Sequence, residues 1–88
     1  MDRDKIIREL EDCLDDAKTT ERKVRLNYLI AKIYASMNNS WAIGYFADSC
    51  ELLEYAGENG IMGFRNFYRY RDKLDKLEFY IEQMMVEI

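Results

Sequence analysis

The sequence predicts an all-α protein: a four-helix up-down-up-down bundle whose C-terminal helix is the longest. The 88 residues contain no proline and few β-branched residues, which favours helix over strand. Short polar segments separate four apolar patterns of helical spacing, so consecutive helices should run antiparallel. Along the last stretch, apolar residues recur at 3-4 spacing without a break, which predicts one long helix with a buried seam: Phe67, Tyr70, Leu74, Leu77, Ile81, Met84 and Ile88.

The first two predicted helices occupy residues 3–17 and 21–37 of a single domain, 1–88. Asp2 or Asp4 is a good N-cap for the first helix, and acidic residues suit its first turn. One of two adjacent threonines should end this helix and cap the second. Each helix carries an apolar face wide enough to pack against a neighbour.

The third and fourth predicted helices occupy residues 41–56 and 62–87. Ser40 follows two asparagines and is the expected N-cap of the third helix. This helix should end at Gly57, and the segment up to Gly60 offers two positions that tolerate left-handed backbone, so the chain can turn sharply there.

The fourth helix is predicted to be longer than the bundle needs. It would measure ~26 residues or about 39 Å, against ~16 residues or about 24 Å for the others. Its last turns should therefore project beyond the bundle as an apolar surface, which soluble monomers rarely expose. We expect this surface to bind another protein or a second copy of the chain, through these residues: Phe79, Tyr80, Ile81, Met84, Met85 and Ile88.

The second and third helices resemble a tetratricopeptide-type hairpin. The apolar pattern of residues 29–34, the turn at residues 38–39 and Phe46 fall near the positions of that motif. The sequence departs from it at Ile43 and Cys50, where the motif has small residues. The resemblance covers about a third of the chain and implies a tight helical hairpin, but no second copy is present for stacking.

Charge alternates in blocks along the chain. The net charges are −3 for residues 1–18, +3 for 19–37, −4 for 38–60, +3 for 61–73 and −3 for 74–88. In an up-down-up-down bundle, oppositely charged blocks lie side by side, so we expect ion pairs between helices. Acidic side chains that remain on the surface would steer basic partners: Asp12, Asp15 and Asp16.

The start of the fourth helix interleaves arginines with aromatic residues, which makes it a candidate site for an anion or a nucleotide. Arginines clamp phosphates, and aromatic rings stack on bases. The predicted site residues are Phe64, Arg65, Tyr68, Arg69 and Arg71. Nucleic-acid binders normally carry a net basic charge, whereas this chain has a net charge of −4. An oligomeric module that binds nucleotides or nucleic acid is therefore the alternative function.

The acidic run of residues 11–16 resembles the acidic helix motif of all-α nucleotide pyrophosphohydrolases, which hold Mg²⁺ through carboxylates on two helices. That resemblance implies a second acidic pair, and Asp48 with Glu51 is available at a different spacing and order. The sequence has no histidine, no nucleophile elbow, no phosphate-binding glycine loop and no Cys-x-x-Cys spacing. We therefore expect no enzyme activity, with no catalytic residue, metal ligand or cofactor, and a metal-dependent hydrolase is the least favoured interpretation.

Cys13 and Cys50 lie among apolar residues at helical spacing, which predicts two buried, reduced side chains and a cytoplasmic protein; a single disulfide in a secreted protein is the alternative. From the alternating charges of residues 1–5 we expect no signal or transit peptide, and no apolar run of ~20 residues predicts a membrane span. The preferred interpretation is a small non-enzymatic regulator or inhibitor that binds another protein and self-associates. Small acidic helical proteins encoded by phages and mobile elements include such regulators.

Overall fold

The structure, a computed structural model, describes the backbone of residues 2–86 and the side chains of residues 2–84. Over this part of the chain the fold is all-α. It consists of four helices: α1 (Arg3–Asp16), α2 (Thr20–Ser36), α3 (Trp41–Glu58) and α4 (Phe64–Val86). The predicted fold class is confirmed. None of the described helices is long and apolar enough to cross a membrane.

Two of the predicted helix caps form, and the third is wrong. Asp2 caps α1 and Thr19 caps α2, each by accepting hydrogen bonds from backbone N–H groups of the first turn. Ser40 lies before α3 in helical conformation, and its side chain makes no capping bond. Instead, the Asn39 side-chain oxygen accepts a hydrogen bond from the backbone N–H of Trp41 at 2.9 Å. The cap moves one residue upstream because Ser40 already has helical dihedrals.

The connections around α3 use left-handed backbone positions. Asn38 precedes α3 with φ 53°, a conformation that asparagine tolerates better than most residues, and Gly60 follows the helix with φ 60°. Gly57 was predicted to end α3, but the helix continues to Glu58. Its role is close packing. A Cβ atom at Gly57 would lie 2.6 Å from the ring of Phe67 on α4.

The helices pack around the α2–α3 hairpin. The buried Ser49 hydroxyl of α3 donates to the Val24 carbonyl of α2 at 2.8 Å and joins the middle of α3 to the first third of α2. Helix α1 packs on α2, and α4 packs on α3 and α2, while α1 and α4 make no contact over their described residues. Glu21 of α2 accepts a hydrogen bond from the Asn66 side chain of α4 at 3.0 Å, which places the two helix starts together. These contacts are compatible with the predicted up-down-up-down order.

The core extends along α4 to its last described side chain. Ile81 and Met84 are 5% and 4% exposed and belong to the same buried cluster as Leu74 and Leu77. The predicted overhang is therefore wrong over this part of the helix. The mismatch in length is smaller than expected, since α2 and α3 have 17 and 18 residues and α4 has 23.

Candidate functional site

Helix α4 exposes two flanks on either side of its buried seam. The flank that faces α3 carries aromatic residues first and then mixed charges: Phe64, Tyr68, Arg71, Asp75 and Glu78. The flank that faces α2 carries cations and a tyrosine at 4-4-3-4 spacing: Arg65, Arg69, Lys73, Lys76 and Tyr80. We call them the aromatic flank and the basic flank.

The aromatic flank borders a groove between the end of α3 and the start of α4, which we call the aromatic groove. Its volume is about 430 Å³. Phe64 is 78% exposed and Tyr68 is 55% exposed, and their ring centroids lie 4.6 Å apart in an edge-to-face arrangement. Phe67 packs its ring edge-to-face on Tyr68 with centroids 5.4 Å apart. The half-buried Phe67 and the buried Met62 provide an apolar floor.

The aromatic groove depends on Gly57. With no side chain at this position, the Phe67 ring approaches the backbone of α3 more closely than a Cβ atom allows. The ring therefore supports Tyr68 and, through it, Phe64. The exposed rings of Phe64 and Tyr68 are therefore held in place by the packing of Phe67 against α3.

The rim of the aromatic groove is negatively charged. Glu54 and Glu58 line it from the last turns of α3, where the helix dipole is also negative. Arg71 lies on the opposite wall and pairs with Asp75 at 3.8 Å. An exposed pair of this length contributes little energy. The groove therefore suits an apolar side chain next to a cation, and it disfavours an anion.

The predicted anion site does not come together as one site. Phe64, Tyr68 and Arg71 line the aromatic groove with the two carboxylates of α3. Arg65 and Arg69 precede Lys73 at helical spacing on the basic flank. Neighbouring residues of a helix point about 100° apart, so an alternating sequence of arginines and aromatic rings divides between two flanks.

The predicted protein-binding surface is also divided. Phe79 is 65% exposed, at the outer edge of the aromatic flank, and Tyr80 is 48% exposed on the basic flank. Ile81 and Met84 are buried in the core, so they cannot serve as exposed anchors in this fold. The two remaining predicted residues, Met85 and Ile88, lie outside the described side chains.

The expected ion pairs between helices do not form among the described residues. Both salt bridges join residues one turn apart on α4: Arg71 with Asp75, and Asp72 with Lys76. The polar side-chain contact between the starts of α2 and α4 is the hydrogen bond that the Asn66 amide donates to Glu21. The exposed charges are therefore available to other molecules.

The cysteines and acidic residues add no further site. Cys13 is exposed, contrary to the prediction, because it lies beside the apolar face of α1 rather than on it. Cys50 is half-buried, and burial together with the neighbouring Glu78 raises the pKa of its thiol. Within the described part of the chain, no three Cys, Asp or Glu side chains are grouped so that they could hold a metal ion.

The basic flank is the feature that the sequence analysis missed. Its signal in the sequence is the spacing of the four cations, each of which lies one turn from the next along α4. A scan against family models, a search of curated proteins and a search of solved structures found no match for this chain.

Proposed function

We propose that this protein is a small non-enzymatic binding module that regulates or inhibits another protein through its aromatic groove. The observation that supports the proposal is the exposure of Phe64 and Tyr68 beside an apolar floor. Large aromatic side chains are frequent hot spots of protein interfaces, and here two of them lie side by side next to an apolar floor.

The occupant we propose is a segment of a partner protein that presents an apolar or aromatic side chain next to a lysine or arginine. The apolar side chain would pack on Phe67 and against Tyr68. The cation would lie near Glu54 and Glu58, where the end of α3 adds a negative dipole. The groove lies on the surface between α3, α4 and their connection, which contributes Met62, and an open groove suits a peptide or a helix better than an enclosed small molecule.

A random peptide library selected on the immobilised protein tests this proposal. We expect enrichment of peptides that combine an apolar side chain with an adjacent lysine or arginine. Fluorescence anisotropy with one selected peptide should show that Tyr68→Ala weakens binding at least about tenfold, as for a hot-spot residue. Phe79→Ala is the matched control, because it also removes an exposed aromatic ring from α4, and it should change the affinity less than about twofold.

Two results would contradict the proposal. One is enrichment of acidic peptides, or of peptides that bind the Tyr68→Ala protein as well as the wild type. The other is self-association at tens of micromolar, seen by sedimentation and abolished by Tyr68→Ala. In that case the occupant of the groove is a second copy of the chain, and the partner segment is wrong.

A further inference from the structure

We propose a second binding site, for a nucleotide, in a groove between α2 and α4 on the basic flank. This basic groove has a volume of about 360 Å³. Its lining combines three ammonium groups with an apolar floor and an exposed ring: Lys32, Lys73 and Lys76, Tyr28 and Leu77, and Tyr80. The site is independent of the aromatic groove and shares no lining residue with it.

The first support is the convergence of positive charge. The Nζ atoms of Lys32 and Lys73, on different helices, lie 6.0 and 5.8 Å from the centroid of the same Tyr28 ring. Neither lysine forms an ion pair with a described residue, and the groove lining includes no carboxylate, although the third lysine, Lys76, pairs with Asp72 at 3.1 Å. Both ammonium groups line one groove, so an anion bound there would offset their mutual repulsion.

The second support is the shape of the lining below the ammonium groups. Tyr28 and Leu77 are buried and form an apolar floor, while Tyr80 is half exposed at the end of the groove. Phosphate alone needs only the cations. A ligand that also covers the floor and stacks on Tyr80 has an aromatic body attached to the phosphate, and nucleotides have this chemistry.

The third support is the direction in which the positive charge continues. Arg25 of α2 and Arg69 of α4 precede the groove by one to two turns of their helices, and both oppose the rise in the pKa of Tyr70 that burial and Glu21 cause. A chain of phosphates could extend from the three lysines toward these arginines. A long polyanion is less favourable, because the whole chain has a net charge of −4 and repels it.

Titration calorimetry with ATP, adenosine and tripolyphosphate tests the site. We expect ATP to bind more tightly than tripolyphosphate or adenosine, since it alone uses both the cations and the ring. Lys73→Ala should weaken ATP binding about tenfold or more, as expected for a lost charged hydrogen bond. Tyr80→Ala should weaken ATP about fivefold or more while leaving tripolyphosphate unchanged, because base stacking is lost and charge is kept.

Arg71→Ala is the matched control, since it removes a cation from the opposite flank of the same helix, and it should leave ATP binding unchanged. An equal loss in Arg71→Ala and Lys73→Ala would show non-specific attraction and overturn the proposal. Tripolyphosphate binding as tightly as ATP would make the site one for inorganic phosphate. Single-stranded DNA whose affinity grows with its length and exceeds that of ATP would assign the groove to a polymer. Far-UV circular dichroism of each variant checks that the helices remain folded.

Discussion

The two flanks of α4 lie on either side of one buried seam and differ in the charge and the aromatic residues that they expose. The flank toward α3 presents Phe64 and Tyr68 above a rim of two glutamates, whereas the flank toward α2 presents lysines with no carboxylate in their groove. The net charge of −4 describes neither side. Whole-chain charge sets long-range repulsion, whereas the charge of one helix flank acts on a ligand at short range.

The largest expected difference in stability is between a variant in the buried seam of α4 and a variant on one of its exposed flanks. Ile81→Ala removes a buried side chain and should lower the free energy of unfolding by ~2–5 kcal/mol. Phe79→Ala, two residues earlier and exposed, should change it by less than about 0.5 kcal/mol. Urea denaturation followed by circular dichroism measures both. Equal, small effects would return Ile81 to the exposed surface that the sequence predicted.

A second comparison concerns two glycines of α3. Gly57→Ala forces a Cβ atom into the Phe67 ring and should destabilise the fold by ~1–3 kcal/mol, because the ring must move. Gly44→Ala meets no atom within 4 Å and should stabilise the helix by up to ~1 kcal/mol. Denaturation midpoints give both values. If Gly57→Ala costs no stability and leaves peptide binding intact, the close packing of Phe67 on Gly57 does not hold the aromatic groove in place.

Titration at high pH tests how Arg69, on the basic flank, affects the pKa of Tyr70 in the seam. Burial, followed by Glu21, raises the pKa of Tyr70 above 10.0, while Arg25 and Arg69 oppose this shift. A raised pKa in the folded state means that the unfolded chain loses this proton first, so stability is fully present below pH 10.0 and falls as the pH rises further. Arg69→Ala should move the tyrosinate absorbance of Tyr70 to still higher pH. A shift to lower pH would show that Arg69 does not face this ring.

The sequence was sufficient for the helices and insufficient for what lies between them. Caps such as Thr19 and the seam through Leu74 depend on local spacing, and both formed as predicted. The extent of burial along α4 depends on the lengths of α2 and α3, so Ile81 could not be placed from its own helix. The basic groove needs Lys32 and Lys73 together, and both approach the same Tyr28 ring only because α2 packs against α4. Which residues of two helices come into contact depends on tertiary structure and cannot be predicted from the periodicity of one helix.

The variants with the smallest expected effect on stability should differ in their affinity for ATP. Asp72 pairs with Lys76 at 3.1 Å on the basic flank, and Asp75 pairs with Arg71 at 3.8 Å on the aromatic flank. Both pairs are exposed, so Asp72→Asn and Asp75→Asn should each cost less than about 0.5 kcal/mol. Only Asp72→Asn releases a lysine of the basic groove, and if that groove binds phosphate, this variant alone should raise the affinity for ATP, by about two- to fivefold. An equal rise in both variants would mean that net charge, rather than the flank on which the charge lies, governs anion binding.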